Sequence, residues 1–191
     1  LDLRLQALAK VEDLPMPKPD KTKIDKWNFT QFKNHVVKSA PYASLDELPD
    51  EVKSLVDLNE ENKNLYIQRD NTPAFMSLSD DLKEQGVIFT DIHTAASKHG
   101  ELLQKYFMQN GVKVDEHRLT ALHAALVNGG AFLYVPKTVE VTAPIQAIYI
   151  HENADATLFN HVIVVADDNS SVTYVENYIS TTGKVNGLVN I

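Results

Sequence analysis

The sequence predicts an α+β fold: a mixed, mainly helical region over 1–128, then a β-rich region over 129–191. Three observations carry this. Between Gly129 and Ile179, short β-branched and aromatic runs follow one another, separated by turn formers. Upstream, apolar residues over 91–109 and 115–127 recur at three- and four-residue steps, the spacing of one helix face. Near the start, Pro15, Pro17 and Pro19 alternate, which permits neither a helix nor a paired strand.

In chain order, Leu1–Val11 reads as a helix, and Leu14–Lys23 as an extended proline-rich connector. Trp27, Phe29 and Phe32 are expected to anchor the connector against the body, since buried rings contribute a few kcal/mol each. Ser44-x-x-Glu47 is a capping-box pattern; the short helical stretch it opens is interrupted at Pro49, and Asp50–Leu58 adds a turn or two. Leu65–Gln68 and Ala74–Leu78 flank Asp70–Pro73 as a β-hairpin. Ser79–Gln85 is a short helix, capped by Ser79, charge-complemented by Asp80 and Asp81, and stopped by Gly86 in a left-handed conformation. Asp91–Gln109 is the clearest helix, with Ile92, Ala95, Ala96, His99, Leu103, Tyr106 and Phe107 along one face. Asn110-Gly111 ends it. A second helix over 115–127 turns Leu119, Leu122 and Leu126 inward, and the short loop makes the two an antiparallel hairpin.

The strands expected next are Phe132–Val135, Val139–Val141, Ile145–Ile150, His161–Ala166 and Val172–Ile179. Pro136, Pro144, Asn153–Asp155 and Asp167–Ser170 turn the chain between them. Over Ser171–Tyr178, polar residues alternate with Val172, Tyr174 and Tyr178, while Val175 is out of phase. The spacing fits a barrel, a sandwich or a solenoid. No helical stretch of ten residues separates the runs, which argues against a βαβ sheet.

Three stretches carry a resemblance to a known family. LYVPKTVEVTAPIQAIY with the later LFNHVIVVADDNSSVTYVENY, the upstream LPMPKPDKTKIDKWNFT, and GVIFTDIHTAASKHGELLQKYF together resemble the SufB/SufD family of iron–sulfur cluster assembly scaffolds. The YVPK motif followed by a PIQ run is the most specific part. The lack of cysteine favours the SufD branch, because SufB members rely on cysteine for cluster chemistry. The resemblance implies a right-handed parallel β-helix, whose first coils would occupy 129–191. It also implies a complex with SufB and the SufC ATPase, an iron–sulfur cluster built by that complex, and reduced flavin associated with it. The chain ends on GLVNI, an apolar run without a terminal cap, and is therefore read as an N-terminal fragment. By resemblance, the SufC-binding and cluster-related residues would lie beyond Ile191.

Composition narrows the function classes. The chain has 191 residues, 43% hydrophobic and 23% charged, within the range of globular domains. A net charge of −8 gives no basic field for nucleic acid. No apolar run approaches the ~20 residues that span a bilayer. LDLRLQALAK lacks the apolar core of a signal peptide. Without cysteine there are no disulfides and no thiolate metal sites. A cytoplasmic protein fits these features, and exposed strand edges could support a homodimer.

Candidate chemistry rests on the seven histidines and the carboxylates. His117 and His123, like His93 and His99, are six apart on a helix, about 600° of rotation, so neither pair can chelate one ion. His99 on an apolar face reads as a core histidine. His151 and His161 at strand ends are the metal candidates, with Glu152, Asp155, Asp167 and Asp168 as oxygen donors; two histidines and a carboxylate would suit ferrous iron. No phosphate-cradling glycine loop and no Gly-x-Ser-x-Gly elbow occurs. The principal expectation is a non-enzymatic scaffold component of iron–sulfur cluster assembly, with no catalytic or cofactor-binding residue in this chain. The alternative is a metal-dependent β-solenoid or cupin-like enzyme using His151 and His161. A sugar-binding or sugar-cleaving β-helix would need exposed aromatics in a groove beside paired carboxylates, for which Tyr134, Tyr149, Tyr174 and Tyr178 are the aromatic candidates.

Overall fold

The computed structural model describes residues 1–29, 31, 33, 35–56, 64–183 and 187–190, the last four by their backbone. The helices are α1 (Asp2–Lys10), α2 (Asp50–Lys53), α3 (Asp80–Glu84), α4 (Ile92–Lys98), α5 (Gly100–Tyr106) and α6 (Arg118–Leu126), with a 3₁₀ turn at Leu45–Glu47. The strands are β1 (Leu65–Arg69), β2 (Thr72–Ser77), β3 (Ile88–Asp91), β4 (Ala131–Val135), β5 (Ile145–His151), β6 (Thr157–Asn160), β7 (Ile163–Ala166), β8 (Tyr174–Ser180) and β9 (Gly187–Asn190). They form sheets in the orders β2-β1-β5-β8, β3-β4-β7 and β6-β9.

The α+β character holds, but the expected right-handed parallel β-helix is corrected to an arrangement of mixed sheets. β1–β2 and β3–β4 pair antiparallel, while β1–β5, β5–β8, β4–β7 and β6–β9 pair parallel. β2 and β3, both from the first 128 residues, thus hydrogen-bond into sheets that also hold the later parallel strands. Period-2 patterning reports that a segment is a strand; it carries nothing about the partner's direction.

The core lies on both faces of the first sheet. Tyr66, Ile145, Ala147 and Tyr149 face Phe89, Leu133 and Val135 of the second sheet. The opposite side chains, Leu65, Ile67, Ile148 and Ile150, are covered by Leu48, Val52 and Val56. β5 is consequently buried along its whole length. The outer face of the second sheet, at Phe132 and Ile163, packs on Ile92, Ala95 and Leu103 of α4 and α5.

Other expectations are refined. The β1–β2 hairpin forms, with Asp70 in its turn at φ 48°. Gly86 stops α3 at φ 83°, as expected. Ser44 and Ser79 make no side-chain cap; Glu47 instead takes the Ala43 N–H at 2.9 Å, and Asn64 takes that of Ser79 at 3.0 Å. The expected helix over 91–109 is preceded by a strand, β3, whose end Asp91 caps α4 by accepting from the His93 and Thr94 amides. That helix breaks at His99 (φ −129°, ψ 34°), ahead of Gly100. In place of a helical hairpin, α6 packs on α1 through small residues, Ala124 and Ala125 against Ala7. Leu119, Leu122 and Leu126 are only partly buried. Val139–Val141 contributes just an isolated bridge, Glu140 to Ser171. The strand expected from Val172 begins at Tyr174, and β6 and β9 are additional to the expected strands. Trp27 is 59% exposed, so Ile24, 8% exposed, is the buried anchor of the connector. Phe32, Leu58 and the Ile191 terminus lie outside the described residues.

Two glycines open β4. Gly130 adopts φ +117°, and a Cβ there would run into the His161 carbonyl. Gly130→Ala is expected to cost about 3 kcal/mol or more, from backbone strain plus displacement of main chain. Gly100→Ala, on a helix with open space around it, should be neutral or mildly stabilising. Urea unfolding of both variants checks this; similar midpoints for the two would contradict it.

Candidate functional site

A set of buried polar groups, from Gln68, Asn128, Asn160, His123 and His161, meets where the three sheets and α6 come together. Gln68 on β1 is fully buried. Its carboxamide oxygen accepts from the Tyr66 hydroxyl at 3.0 Å and from the Gly130 N–H at 2.8 Å. Its NH₂ group donates to the Asp70 carbonyl at 2.6 Å and to Asn160 Oδ1 at 2.8 Å. All four hydrogen-bonding positions of the amide are therefore used. Gly130 leads into β4 and Asn160 ends β6, so one side chain on β1 ties the first sheet to the other two. A Cβ at Gly129 would collide with Gln68 and Asn160, so the glycine supplies the room.

Asn128 holds the adjacent edge. Its Nδ2 donates to the Thr157 and His35 carbonyls, both at 2.7 Å, and its Oδ1 accepts the Phe159 N–H at 2.8 Å. His161 donates its backbone N–H to the Gly129 carbonyl at 3.0 Å.

Next to this junction sits a buried histidine pair. His123 on α6 and His161 after β6 face each other with Nε2 and Nδ1 3.0 Å apart. The Phe107 ring lies over His161, centroids 4.6 Å apart, and Phe159 meets His123 edge-on. Burial first, and the neighbouring His161 second, push His123 down to about 3. Burial alone holds His161 at about 4. Both imidazoles are neutral at pH 7. Among the described residues, His123 Nδ1 is buried without a partner, as is Asn160 Nδ2. A cavity of about 300 Å³ adjoins His161 and is also lined by Tyr106, Met108 and Asn110.

The metal set suggested by sequence is not assembled. His161 bonds His123, whereas His151 Nε2 bonds the Asn153 carbonyl at 2.8 Å. Glu152 is paired with Arg69 at 2.6 Å, Asp155 with Lys33 at 2.8 Å, and Asp168 with Lys137 at 3.3 Å. Asp167 accepts from the Tyr134 hydroxyl at 2.9 Å. An Asp168 N–H, then the Tyr134 hydroxyl, hold the Asp167 carboxyl below its usual range. Tyr134 and Lys137 of the YVPK motif thus both engage the Asp167-Asp168 turn. Among the described residues, no group of three or more histidines and carboxylates could hold a metal ion. Of the aromatic candidates, Tyr149 is buried and stacks on Tyr178, centroids 4.7 Å apart.

Gln68, Asn128 and Asn160 belong to no motif in the sequence, and His123, considered there only beside His117, has its partner in His161. The available signal was a polar side chain inside an apolar β run, which must find partners if both strand faces are buried. The groups gathered here are neutral amides and imidazoles bonded largely to one another and to main chain. Their chemistry is positional: they fix where sheets and helix meet.

Comparison with known proteins supplies the family. The family model described as the SufBD protein N-terminal region matches residues 51–147. The chain belongs to the SufBD family. This SufBD chain is 65% identical over 190 residues to the iron-sulfur cluster assembly protein SufD of Bacillus subtilis, covering all of this chain and 44% of that protein. It is 32% identical over 187 residues to an iron-sulfur cluster assembly SufBD family protein of Staphylococcus epidermidis, covering 92% of this chain and 39% of that protein. A SufBD family protein of Staphylococcus aureus is 31% identical over 185 residues. The chain spans less than half the length of these relatives. Among the described residues, no helix is long and apolar enough to cross a membrane.

The histidine pair sets a pH dependence. Between about 6.5, where unfolded imidazoles titrate, and the folded values near 4 and 3, the unfolded state binds more protons than the folded one. The pair's contribution to stability is therefore fully present above pH 7 and is lost as pH falls through that window. Two such groups remove about 2–3 kcal/mol between pH 7.5 and 5.5. Urea midpoints should fall accordingly, and the fall should flatten in a His123→Asn/His161→Asn double variant. An unchanged slope in that variant would contradict the assignment.

Proposed function

We propose that this chain is the N-terminal part of a SufD-type scaffold for iron–sulfur cluster assembly, working with SufB and the SufC ATPase in the cytoplasm and performing no catalysis of its own. The observation that carries this reading is the 65% identity, over the entire chain, to a protein named for that process. The buried junction supports it, because groups locked into four-way hydrogen bonding serve to hold a shape. In this reading the cluster is the cargo of the whole assembly, and contacts to it and to SufC belong to the part of the relatives that this chain does not span. The metal-dependent enzyme at His151 and His161 finds no support, since the two imidazoles are engaged separately. No observation favours a bound flavin.

The test is a chimera in which this chain replaces the matching segment of the Bacillus subtilis SufD. The chimera should copurify with SufB and SufC and restore iron–sulfur enzyme activity in cells lacking SufD. A chimera that folds and yet binds neither protein would overturn the proposal. So would stoichiometric ferrous iron retained by the chain after desalting and lost on either His151→Ala or His161→Ala.

A further inference from the structure

Asn-Gly pairs are the sequence context in which asparagine most readily converts to aspartate and isoaspartate. The chain has three: Asn110-Gly111, Asn128-Gly129 and Asn186-Gly187. Asn186 lies outside the described residues. The other two are as different as two such pairs can be.

The reaction is intramolecular. The backbone nitrogen of the glycine attacks the asparagine side-chain carbonyl carbon; a C–N bond forms, the side-chain amide leaves as ammonia, and a succinimide ring results. Water then opens the ring at either carbonyl, giving aspartate or isoaspartate. Water is the only co-reactant. The step needs a side chain free to rotate toward the next nitrogen, and a backbone free to bring that nitrogen close.

Asn128 has neither freedom. Its amide makes three hydrogen bonds, to Thr157, His35 and Phe159, at 2.7, 2.7 and 2.8 Å. Gly129 is fixed in a parallel bridge to Asn160 and accepts from His161. Asn110 has both. Asn110 and Gly111 are exposed in the turn that follows α5. A Cβ on Gly111 would meet nothing within 4 Å. Neither the Asn110 side chain nor the Gly111 N–H takes a hydrogen bond among the described residues.

We infer that Asn110 is a site of spontaneous deamidation and isoaspartate formation, and that Asn128 is protected by the fold. The location gives the modification consequences. Asn110 and Gly111 line the cavity against His161, so conversion puts a carboxylate at its rim. The same turn carries Phe107, whose ring meets His161 at a tilt with centroids 4.6 Å apart, and Met108, buried against Ala7 and held at φ 50°. Isoaspartate adds a methylene to the main chain between these residues and Val112. The packing of the turn on α1 and α6 therefore loosens while the Gln68 junction stays intact.

The experiment ages the purified chain at 37 °C and neutral pH and maps the peptides around all three pairs by mass spectrometry, with isoaspartate counted by S-adenosylmethionine-dependent isoaspartyl methylation. Asn110 should convert faster than Asn128 by about tenfold or more, and Gly111→Ala should suppress it by a similar factor, because a Cβ restricts the approach of the nitrogen. That variant has open space for its methyl group, so a folded control is available. Conversion of Asn128 at the rate of Asn110 or faster, or an Asn110 that stays amidated while an unfolded sample of the same chain converts, would overturn the inference.

Discussion

The meeting of the three sheets turns on a single buried carboxamide. An amide taken out of water without partners costs about 2–7 kcal/mol. Gln68 avoids that cost only if the Tyr66 hydroxyl, the Gly130 N–H, the Asp70 carbonyl and Asn160 are all in place. Those groups come from β1, its turn, the entry to β4 and the end of β6. The requirement that one side chain be satisfied thus fixes the meeting point of all three sheets. It also explains two successive glycines: at 129 a side chain would occupy the space of the amides, and at 130 it would collide with main chain.

Around that point the apolar layers are arranged so that β1 and β5 have no solvent face. Tyr66 and Tyr149 point one way, Ile67 and Ile148 the other. Central strands of this kind are the most resistant parts of a fold, while the helical layer has a different character. α1 and α6 approach closely because alanines meet there, and Arg4 reaches over to donate to the Ala125 carbonyl near the end of α6 at 2.8 Å. At the junction the amides of Gln68 and Asn128 are tied to main chain and to neighbouring side chains, which holds the sheets and α6 in register.

Much of the local structure was legible in the sequence. The strands at Phe132 and Ile145, the β1–β2 hairpin and the stop at Gly86 each follow from residue type and spacing. The family was legible in YVPK and its neighbours. The direction of strand pairing was not, because alternation is the same in parallel and antiparallel ladders. Nor was the partner of α6: the leucines at 119, 122 and 126 suggest one buried face, but the face actually covered is alanine-rich, and alanine contributes little to a hydrophobic pattern. The junction escaped for a related reason. Gln68, Asn128 and Asn160 are far apart in the chain, and each alone looks like a strand end or a helix stop. His161 was singled out as a ligand beside His151, yet its partner is His123, a residue from a helix whose docking could not be inferred.

Because its amide is satisfied only when groups from all three sheets are in place, the Gln68 junction opens only when the whole fold opens. Native-state hydrogen exchange of the Gly130, Phe159 and His161 amides tests it most directly, since each donates a hydrogen bond within the junction. These amides should exchange with the free energy of global unfolding and follow its denaturant dependence. Exchange of the three through a local opening, well below the global free energy and insensitive to denaturant, would contradict the account.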